Sequence, residues 1–230
     1  MSNPIQDLLN QMIKNQLPTI NSGVQAAIKS NHLDPWGQVA HGSSTIGSVN
    51  LGIATVGVSA NYNVNNMSGL SSFSISALEV QTVTADPNDS SKLSGHIYMT
   101  ASLGRNLTAH AGGGLKASFK NFIHNISKSV GIGGTANVSG ISTNASGSFS
   151  ASVENGKVCL NAIDLSSVGV DYGSVNVSID GLGFFNSFIS PVTDAIVGLF
   201  KGQIRGAISN AITPMINAQI RGILPQCKSL

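Results

Sequence analysis

The sequence predicts an α+β protein in which an N-terminal helix, a curved antiparallel meander and a C-terminal helix form a single domain, 1–230. Apolar residues recur every three or four positions over 3–31 and 191–223, which is typical of amphipathic helices. Over 45–180 they alternate with polar residues, and turn residues separate the alternating runs. A strongly curved sheet cannot bury its concave face against itself, so we expect the apolar stripes of both helices to fill it.

The N-terminal segment has one apolar face and one polar face over residues 3–31. Pro18 falls inside this pattern, and because proline lacks a backbone N–H we expect a kink or a break into two helices there. The pattern ends at the sequence Leu33-Asp34-Pro35, where the proline disfavours helical backbone for the residue before it.

The middle segment contains nine alternating runs. Val49 to Ile53 alternate on one parity and Val56 to Val64 on the other, which predicts a β-bulge and a bend between them. Four stretches rich in turn residues predict the reversals of the chain, at 85–91, 111–114, 131–134 and 154–156. The many glycines favour strong twist and curvature.

The C-terminal segment, 191–223, carries an apolar stripe opposite three glycines. At about 100° per residue, the side chains of Phe200 and Ile204 lie in one arc, and Gly198, Gly202 and Gly206 lie on the polar side. Each glycine costs about 1 kcal/mol relative to alanine inside a helix. Two explanations remain open: a strand or the first helix approaches these glycines closely, or a solvated face tolerates them.

The composition excludes several classes of protein. Charged residues make up 10% of the chain, against a usual share of about 25%, and the net charge is +2, so we predict no nucleic-acid partner. No charge-free apolar run of about 20 residues occurs, so we expect no spanning helix. The N-terminal residues lack a signal-peptide pattern, and Met1 is either a true start or a residue that precedes a mature secreted chain.

The chain also lacks the residue patterns of common active sites. Its five histidines have no metal-ligand spacing, and no G-x-S-x-G sequence occurs. The sequence GIGGTA, 131–136, is similar to a loosened dinucleotide fingerprint, but it opens a strand-like run rather than a helix. We therefore predict that the protein is not an enzyme and holds no metal or cofactor.

One segment has two interpretations. Lys116, Lys120, His124 and Lys128 are spaced by four residues, with apolar residues between them. As a helix, this segment would have the basic and apolar faces of an element that contacts a membrane surface transiently. As a strand and loop, its lysines would simply be solvated, and this is the interpretation that we favour.

The two cysteines, Cys159 and Cys227, allow one disulfide bond. In an oxidising compartment this bond would tie a strand to the C-terminal tail, and in a reducing one the two residues would be small hydrophobes. We favour the disulfide and predict a secreted, extracellular protein.

The order of elements and three motifs resemble the group 7 mite allergens, a family of the TULIP superfamily that also includes the bactericidal/permeability-increasing, juvenile-hormone-binding and takeout proteins. The motifs are Leu33-Asp34-Pro35 after the first helix, NVNNMSGLSSF at 63–73, and GLGFFNSFISPV at 181–192, which leads into AIVGLFKGQIRGAISNAI at 195–212. The resemblance spans nearly the whole chain. This chain departs from the family in its fewer charged residues, which puts the ligand preference in doubt.

The resemblance implies a single super-roll, in which a highly curved antiparallel sheet wraps a long C-terminal helix and the N-terminal helix packs alongside. It also implies an elongated apolar cavity that binds a lipid, sterol, terpenoid, carotenoid or other hydrophobic molecule without chemical change. We expect this lining to come from both helices and the segment before the second: Leu9, Met12, Ile13, Phe184, Phe188, Ile196, Leu199, Phe200, Ile204, Ile208 and Met215.

Two alternatives remain open for these residues and for the function. Each residue is equally well explained as part of a filled core. The whole protein could instead act through its surface, as a lipid-interface or surfactant protein or as a self-associating structural protein, which its low charge and abundant Ser, Asn and Gly also fit. The oligomeric state does not follow from the sequence.

Overall fold

The computed structural model describes residues 3–50, 55–120, 125–180, 190, 193–194, 197–198 and 200–230. Helix α1 spans Pro4–Ser30, and helix α2 spans Arg205–Ile223 after a π-helical turn at Phe200–Ile204. The described residues just before that turn, 190, 193–194 and 197–198, are helical as well. Helix α2 ends at Ile223, the end expected from the apolar period, and the expected start at 191 lies outside the described residues.

Eleven strands are described. They are β1 Trp36–Asn50, β2 Thr55–Ser68, β3 Phe73–Val80, β4 Thr84–Asp86, β5 Asp89–Leu103, β6 Leu107–Lys120, β7 Asn125–Ser139, β8 Ser142–Glu154, β9 Lys157–Asp171, β10 Ser174–Asp180 and β11 Gln226–Ser229. The first strand begins at Trp36, nine residues before the expected start at 45. The prediction missed this part of the strand because its glycine- and serine-rich sequence shows little alternation. In the structure β1 pairs with β2 along its whole length.

The strands form two antiparallel sheets. The first has the order β1-β2-β6-β7-β10 and the second has the order β11-β9-β8-β5-β3, with β4 paired to β5. Short joints at 69–72, 104–106, 140–141 and 172–173 connect a strand of one sheet to a strand of the other. When β2–β3, β5–β6, β7–β8 and β9–β10 are each counted as one long bent strand, neighbours in space are neighbours in sequence. The meander is therefore present, and a row of joints divides it into two sheets.

The joints lie side by side and are hydrogen-bonded to one another. The Gly104 N–H donates to the Ser72 carbonyl (3.1 Å), the Leu103 N–H to the Ile141 carbonyl (3.2 Å), and the Gly173 N–H to the Ser139 carbonyl (3.0 Å). The four long bent strands therefore change sheet at the same level, along one row of joints.

Some of the expected turns are wrong. The predicted bend between residues 49 and 64 is a reversal between two strands, because β1 and β2 are antiparallel and Asn50 pairs with Thr55 and Val49 with Val56. The glycine runs at 111–114 and 131–134 lie inside β6 and β7, where Gly112 pairs with Gly133. Glycines that pair across two strands carry no local signal that distinguishes them from turn glycines.

The other two expected turns are confirmed. The chain reverses between β4 and β5 near Asn88, and it reverses between β8 and β9 at Asn155 and Gly156. Both of the latter residues have positive φ, 51° and 71°, as the tight turn of a hairpin requires.

The segment around Lys116 and Lys128 is strand wherever it is described, so the amphipathic-helix interpretation is wrong there. His124 lies outside the described residues.

Helix α1 is continuous through Pro18, so the predicted break into two helices is wrong. Its buried residues lie on both sides of the proline, from Leu9 to Ile28, and all of them pack into one core.

Amide side chains also fix the helix to the edge strand β3. Asn10 pairs with the backbone N–H and carbonyl of Val80, and Asn21 pairs with both groups of Ile75. These contacts outweigh the one hydrogen bond that the proline removes.

Helix α2 buries one isoleucine every four residues, namely Ile208, Ile212, Ile216 and Ile220. A Cβ atom added at Gly198, Gly202 or Gly206 would meet no atom within 4 Å, which settles the choice for these glycines in favour of an open face. After α2, strand β11 pairs with β9, and a disulfide bond joins Cys159 to Cys227.

Candidate functional site

The inner face of the second sheet is filled by large apolar side chains. Helix α1 packs on β3, helix α2 packs on β9, and the two helices contact each other. The large buried residues of this sheet are Phe73, Ile75, Leu78, Val80, Leu93, Ile97, Met99, Phe149, Val158, Leu160, Ile163, Leu165, Val168 and Val170. This half of the molecule is an ordinary close-packed core.

A small, partly open gap lies in the described part of this core, among Met12, Ile13, Leu160 and Ile220, with Gln16 and Gln226 also at its border. Its lining is apolar and its volume is about 10 Å³. A gap of that volume admits about one water molecule and no hydrocarbon ligand. The α1 residues of the expected lining therefore face packed side chains at this position.

The inner face of the first sheet has a higher share of alanine. Among the residues whose burial is described, four of its nine buried hydrophobic residues are alanine, against three of seventeen in the second sheet. One row across the sheet joins Ala40, Val64, Ala111, Gly134 and Ile179 in register. Among the residues of this sheet whose burial is described, the buried ones are Ala40, Val58, Ala60, Val64, Met67, Leu107, Ala109, Ala136 and Val138. Alanine and glycine fill little of the space above a curved sheet, so other protein atoms or a ligand must cover it. In the structure Ala136 is 0% exposed and Ala109 is 3% exposed, so protein atoms cover these two.

The π-helical turn contacts β1, which brings the start of the C-terminal helix to the first sheet. Ile204, at the end of this turn, and Ile208, one turn later, are both buried. The salt bridge from the Arg205 Nη2 atom to the Asp171 Oδ1 atom (2.7 Å) fixes the start of α2 at the end of β9. π-helical turns interrupt α-helices frequently at functional sites.

The expected site residues fall into three groups. Leu9, Met12 and Ile13 are buried on α1, and Met215 is half-buried on α2. Ile204 and Ile208 are buried where the C-terminal helix begins. The side chains of the remaining expected residues lie outside the described part of the chain: Phe184, Phe188, Ile196, Leu199 and Phe200.

Two motifs of the family resemblance meet in the fold. The Asp34 carboxylate accepts hydrogen bonds from the backbone N–H groups of Gly69 (3.0 Å) and Ser71 (2.6 Å). Partial burial raises the pKa of Asp34, but hydrogen bonds from Ser71 and Gly69, with the charge of Lys29, outweigh burial and hold this pKa below 3.8. Asp34 thus ties the end of α1 to the joint between β2 and β3.

Two buried hydroxyl groups are without a hydrogen-bond partner among the described residues, the Oγ1 atom of Thr143 and the phenolic oxygen of Tyr172. Burial raises the pKa of Tyr172 to about 12, against an opposing effect of the Arg205 charge. The tyrosine therefore stays protonated at neutral pH. The sequence pattern did not single out either residue, because a lone threonine or tyrosine in an alternating strand is common.

The described residues contain no group of three His, Cys, Asp or Glu side chains that could hold a metal ion. Among the described helices, none is long and apolar enough to cross a membrane.

The geometry defines a class of protein, an α+β fold in which curved antiparallel strands enclose two helices and an apolar interior. Comparison with family models gives the particular family. The Group 7 allergen model matches residues 94–220, more than half of the chain, so this protein belongs to the Group 7 allergen family. The resemblance found in the sequence is confirmed.

Two solved structures are also similar. A lipopolysaccharide binding protein has 12% sequence identity and a TM-score of 0.38, and the match covers 91% of this chain and 37% of that one. This chain thus spans little more than a third of that protein's length. Takeout 1 of Epiphyas postvittana has 11% identity and a TM-score of 0.40, with 94% of this chain and 92% of that one covered. The curated proteins include no match.

Proposed function

We propose that this protein binds one hydrophobic small molecule noncovalently and carries it. The ligand would lie between the inner face of the first sheet and the beginning of the C-terminal helical segment. The observation that carries the proposal is the contrast between the two inner faces. Among the described buried hydrophobic residues, large side chains predominate in the second sheet under both helices. In the first sheet four of nine are alanine: Ala40, Ala60, Ala109 and Ala136.

The apolar area of such a ligand is sufficient for binding. Removing about 300 Å² of apolar surface from water contributes roughly 7 kcal/mol, at about 25 cal/mol per Å². The loss of translational and rotational freedom opposes this gain, so tight binding needs a well-fitting apolar wall rather than area alone. Because so few charged residues occur in the chain, we infer a ligand with little or no charge, such as a sterol, fatty acyl chain, terpenoid or carotenoid.

We assign the contact residues as follows. Ile204 and Ile208 contact the ligand from the helix side, together with Phe184, Phe188, Ile196, Leu199 and Phe200. Leu9, Met12 and Ile13 support the packed core around the second sheet, since the gap beside Met12 and Ile13 measures about 10 Å³. Met215, half-buried further along α2, belongs to the same core.

We further propose that the protein is secreted. The bond between Cys159 and Cys227 supports this, because disulfides persist mainly in oxidising compartments.

The surface-active alternative has less support. A protein that acts at a lipid interface needs a contiguous apolar patch. Over the described part of the chain, the exposed large hydrophobic residues are Tyr98 and Leu230. Tyr98 lies on β5 and Leu230 follows β11, so they do not form one patch by sequence or strand. The outer positions of β8 are uncharged and polar: Ser142, Asn144, Ser146, Ser148 and Ser150.

Two measurements test the carrier proposal. Organic extraction of the purified protein, followed by mass spectrometry, should give a stoichiometric hydrophobic compound. After delipidation, N-phenyl-1-naphthylamine should bind with a rise in fluorescence. Ala136→Leu should abolish most of that rise with little loss of stability, because the new side chain occupies ligand space.

The matched control is Asn137→Leu, which adds the same side chain on the exposed outer face of the same strand. If the space is already filled by protein, Ala136→Leu overpacks a core and costs about 1–3 kcal/mol. A large loss of stability for Ala136→Leu, with no probe binding by the native protein, would contradict the proposal.

A further inference from the structure

We infer that Thr143 and Tyr172 form a polar anchor that binds an oxygen atom of the ligand. The anchor selects hydrophobic molecules that carry a hydroxyl or carbonyl group over plain hydrocarbons. This inference rests on the proposed function, because it assigns a chemical class to the ligand of that same interior.

The two hydroxyl groups belong to one patch of the inner face. Thr143 lies on β8 directly opposite Val170 of β9, and Tyr172 is two residues beyond Val170. β9 ends at Asp171, so Tyr172 is the first residue of the joint to β10, and its inward position follows from its packing against the same apolar cluster as Val170. Thr143 is 4% exposed. Diagonal neighbours across a regular strand pair are about 7–8 Å apart, within reach of a long aromatic side chain.

Two other polar side chains between α2 and β9, those of Thr213 and Asn217, have partners. The Thr213 hydroxyl accepts from the Val168 N–H (3.1 Å) and donates to the Ser209 carbonyl (2.7 Å). Asn217 pairs with both backbone groups of Leu165. Buried polar groups are hydrogen-bonded in the great majority of cases. The hydroxyls of Thr143 and Tyr172, unpaired among the described residues, therefore differ from these two paired side chains.

Valine has the shape of threonine without the hydroxyl, and phenylalanine has the shape of tyrosine. An interior that needed packing alone at these positions would be served better by valine and phenylalanine, since an unpaired buried hydroxyl destabilises the fold. A ligand oxygen would remove that penalty, because each hydroxyl can both donate and accept a hydrogen bond.

The patch lies where the second sheet, which contains Thr143, meets the joint to the first sheet, which contains Tyr172. Thr143 is flanked by two small buried residues, Ala101 on β5 opposite it and Ala145 on its own strand. Tyr172 lies in the joint between β9 and β10, beside Asp171, which binds Arg205. Ile204 precedes Arg205, so the anchor and the proposed apolar contacts adjoin each other.

The charge around the anchor favours a neutral ligand oxygen. Arg205, the cation close to Tyr172, is already paired with Asp171 at 2.7 Å. A carboxylate would therefore find no free positive charge from that side chain. An alcohol, ketone or aldehyde group fits two neutral hydroxyls.

The experiment compares dodecan-1-ol with dodecane as competitors of N-phenyl-1-naphthylamine on the delipidated protein. In the native protein, dodecan-1-ol should bind about tenfold more tightly than dodecane, the effect of one or two net hydrogen bonds. Thr143→Val and Tyr172→Phe should each reduce this ratio severalfold and leave the affinity for dodecane unchanged. The control Thr135→Val, on the exposed outer face of β7, should leave both affinities unchanged.

The outcomes separate the two proposals. If the native protein binds neither the probe nor the competitors, the carrier function itself is wrong. If it binds both competitors and the ratio survives in both variants, the carrier function stands and the anchor is wrong. Thermal unfolding without ligand supplies a second measurement. Thr143→Val should melt no lower than the native protein, and a clear decrease would show that the hydroxyl has a structural partner instead.

Discussion

The amide pairing between helix α1 and strand β3 gives the sharpest prediction about stability. The Asn21 Oδ1 atom accepts from the Ile75 N–H at 2.7 Å, and its Nδ2 atom donates to the Ile75 carbonyl at 3.0 Å. Strand β3 is at the edge of the second sheet, so Asn21 replaces the neighbouring strand that Ile75 lacks. Asn21→Ala removes both bonds and leaves two backbone groups under the helix without partners.

At about 0.5–1.5 kcal/mol for each net hydrogen bond, the loss is roughly 2 kcal/mol. The control is Asn15→Ala, an exposed position on the same helix, which gains the same helix propensity. For a protein of about 150–250 residues, 1 kcal/mol corresponds to about 2–4 °C, so Asn21→Ala should melt about 4–8 °C below Asn15→Ala by calorimetry. Equal melting temperatures for the two variants would refute the view that side-chain amides hold α1 on the edge strand.

Three further predictions follow from individual contacts. Replacing Cys159 and Cys227 together by serine should cost about 4 kcal/mol in urea unfolding, since the bond closes a loop across a sequence separation of 68 residues, and an unchanged midpoint would contradict this. The lowered pKa of Asp34 contributes stability that is present above pH 3.8 and is lost as the pH falls through the folded-state pKa. Asp34→Asn should therefore be less stable than the native protein at neutral pH by about 1–2 kcal/mol, and denaturation curves at successively lower pH should converge; a constant difference would exclude the carboxylate as the cause. Gly206→Ala, at an open position of α2, should stabilise by about 1 kcal/mol, and a loss of stability would show that another group lies close to that face.

The sequence by itself determined the order of elements and the helix faces. The spacing of apolar residues in the last segment predicted that Ile204 and Ile208 point inward, and both are buried. Periodicity is a local property, because helical geometry alone decides which residues share a face. The sequence of α1 also contains a pattern of amide side chains that indicates which strand edge the helix contacts. Gln6, Asn10, Asn21 and Gln25 follow the border of its apolar face, and all four bind the backbone of β3 or the residue after it.

The tertiary structure alone decided the strand pairing, the row of joints and the contrast between the two inner faces. Gly112 and Gly133 look like turn residues in isolation, and they lie within strands because β6 and β7 pair along their whole length. Pro18 predicts a break locally, and the helix continues because core packing and amide pairing act on both sides of it. Likewise, no local pattern distinguishes the unpaired hydroxyls of Thr143 and Tyr172 from satisfied ones. Whether a buried group has a partner depends on which distant residues the fold brings near it, and that is a property of the packed chain.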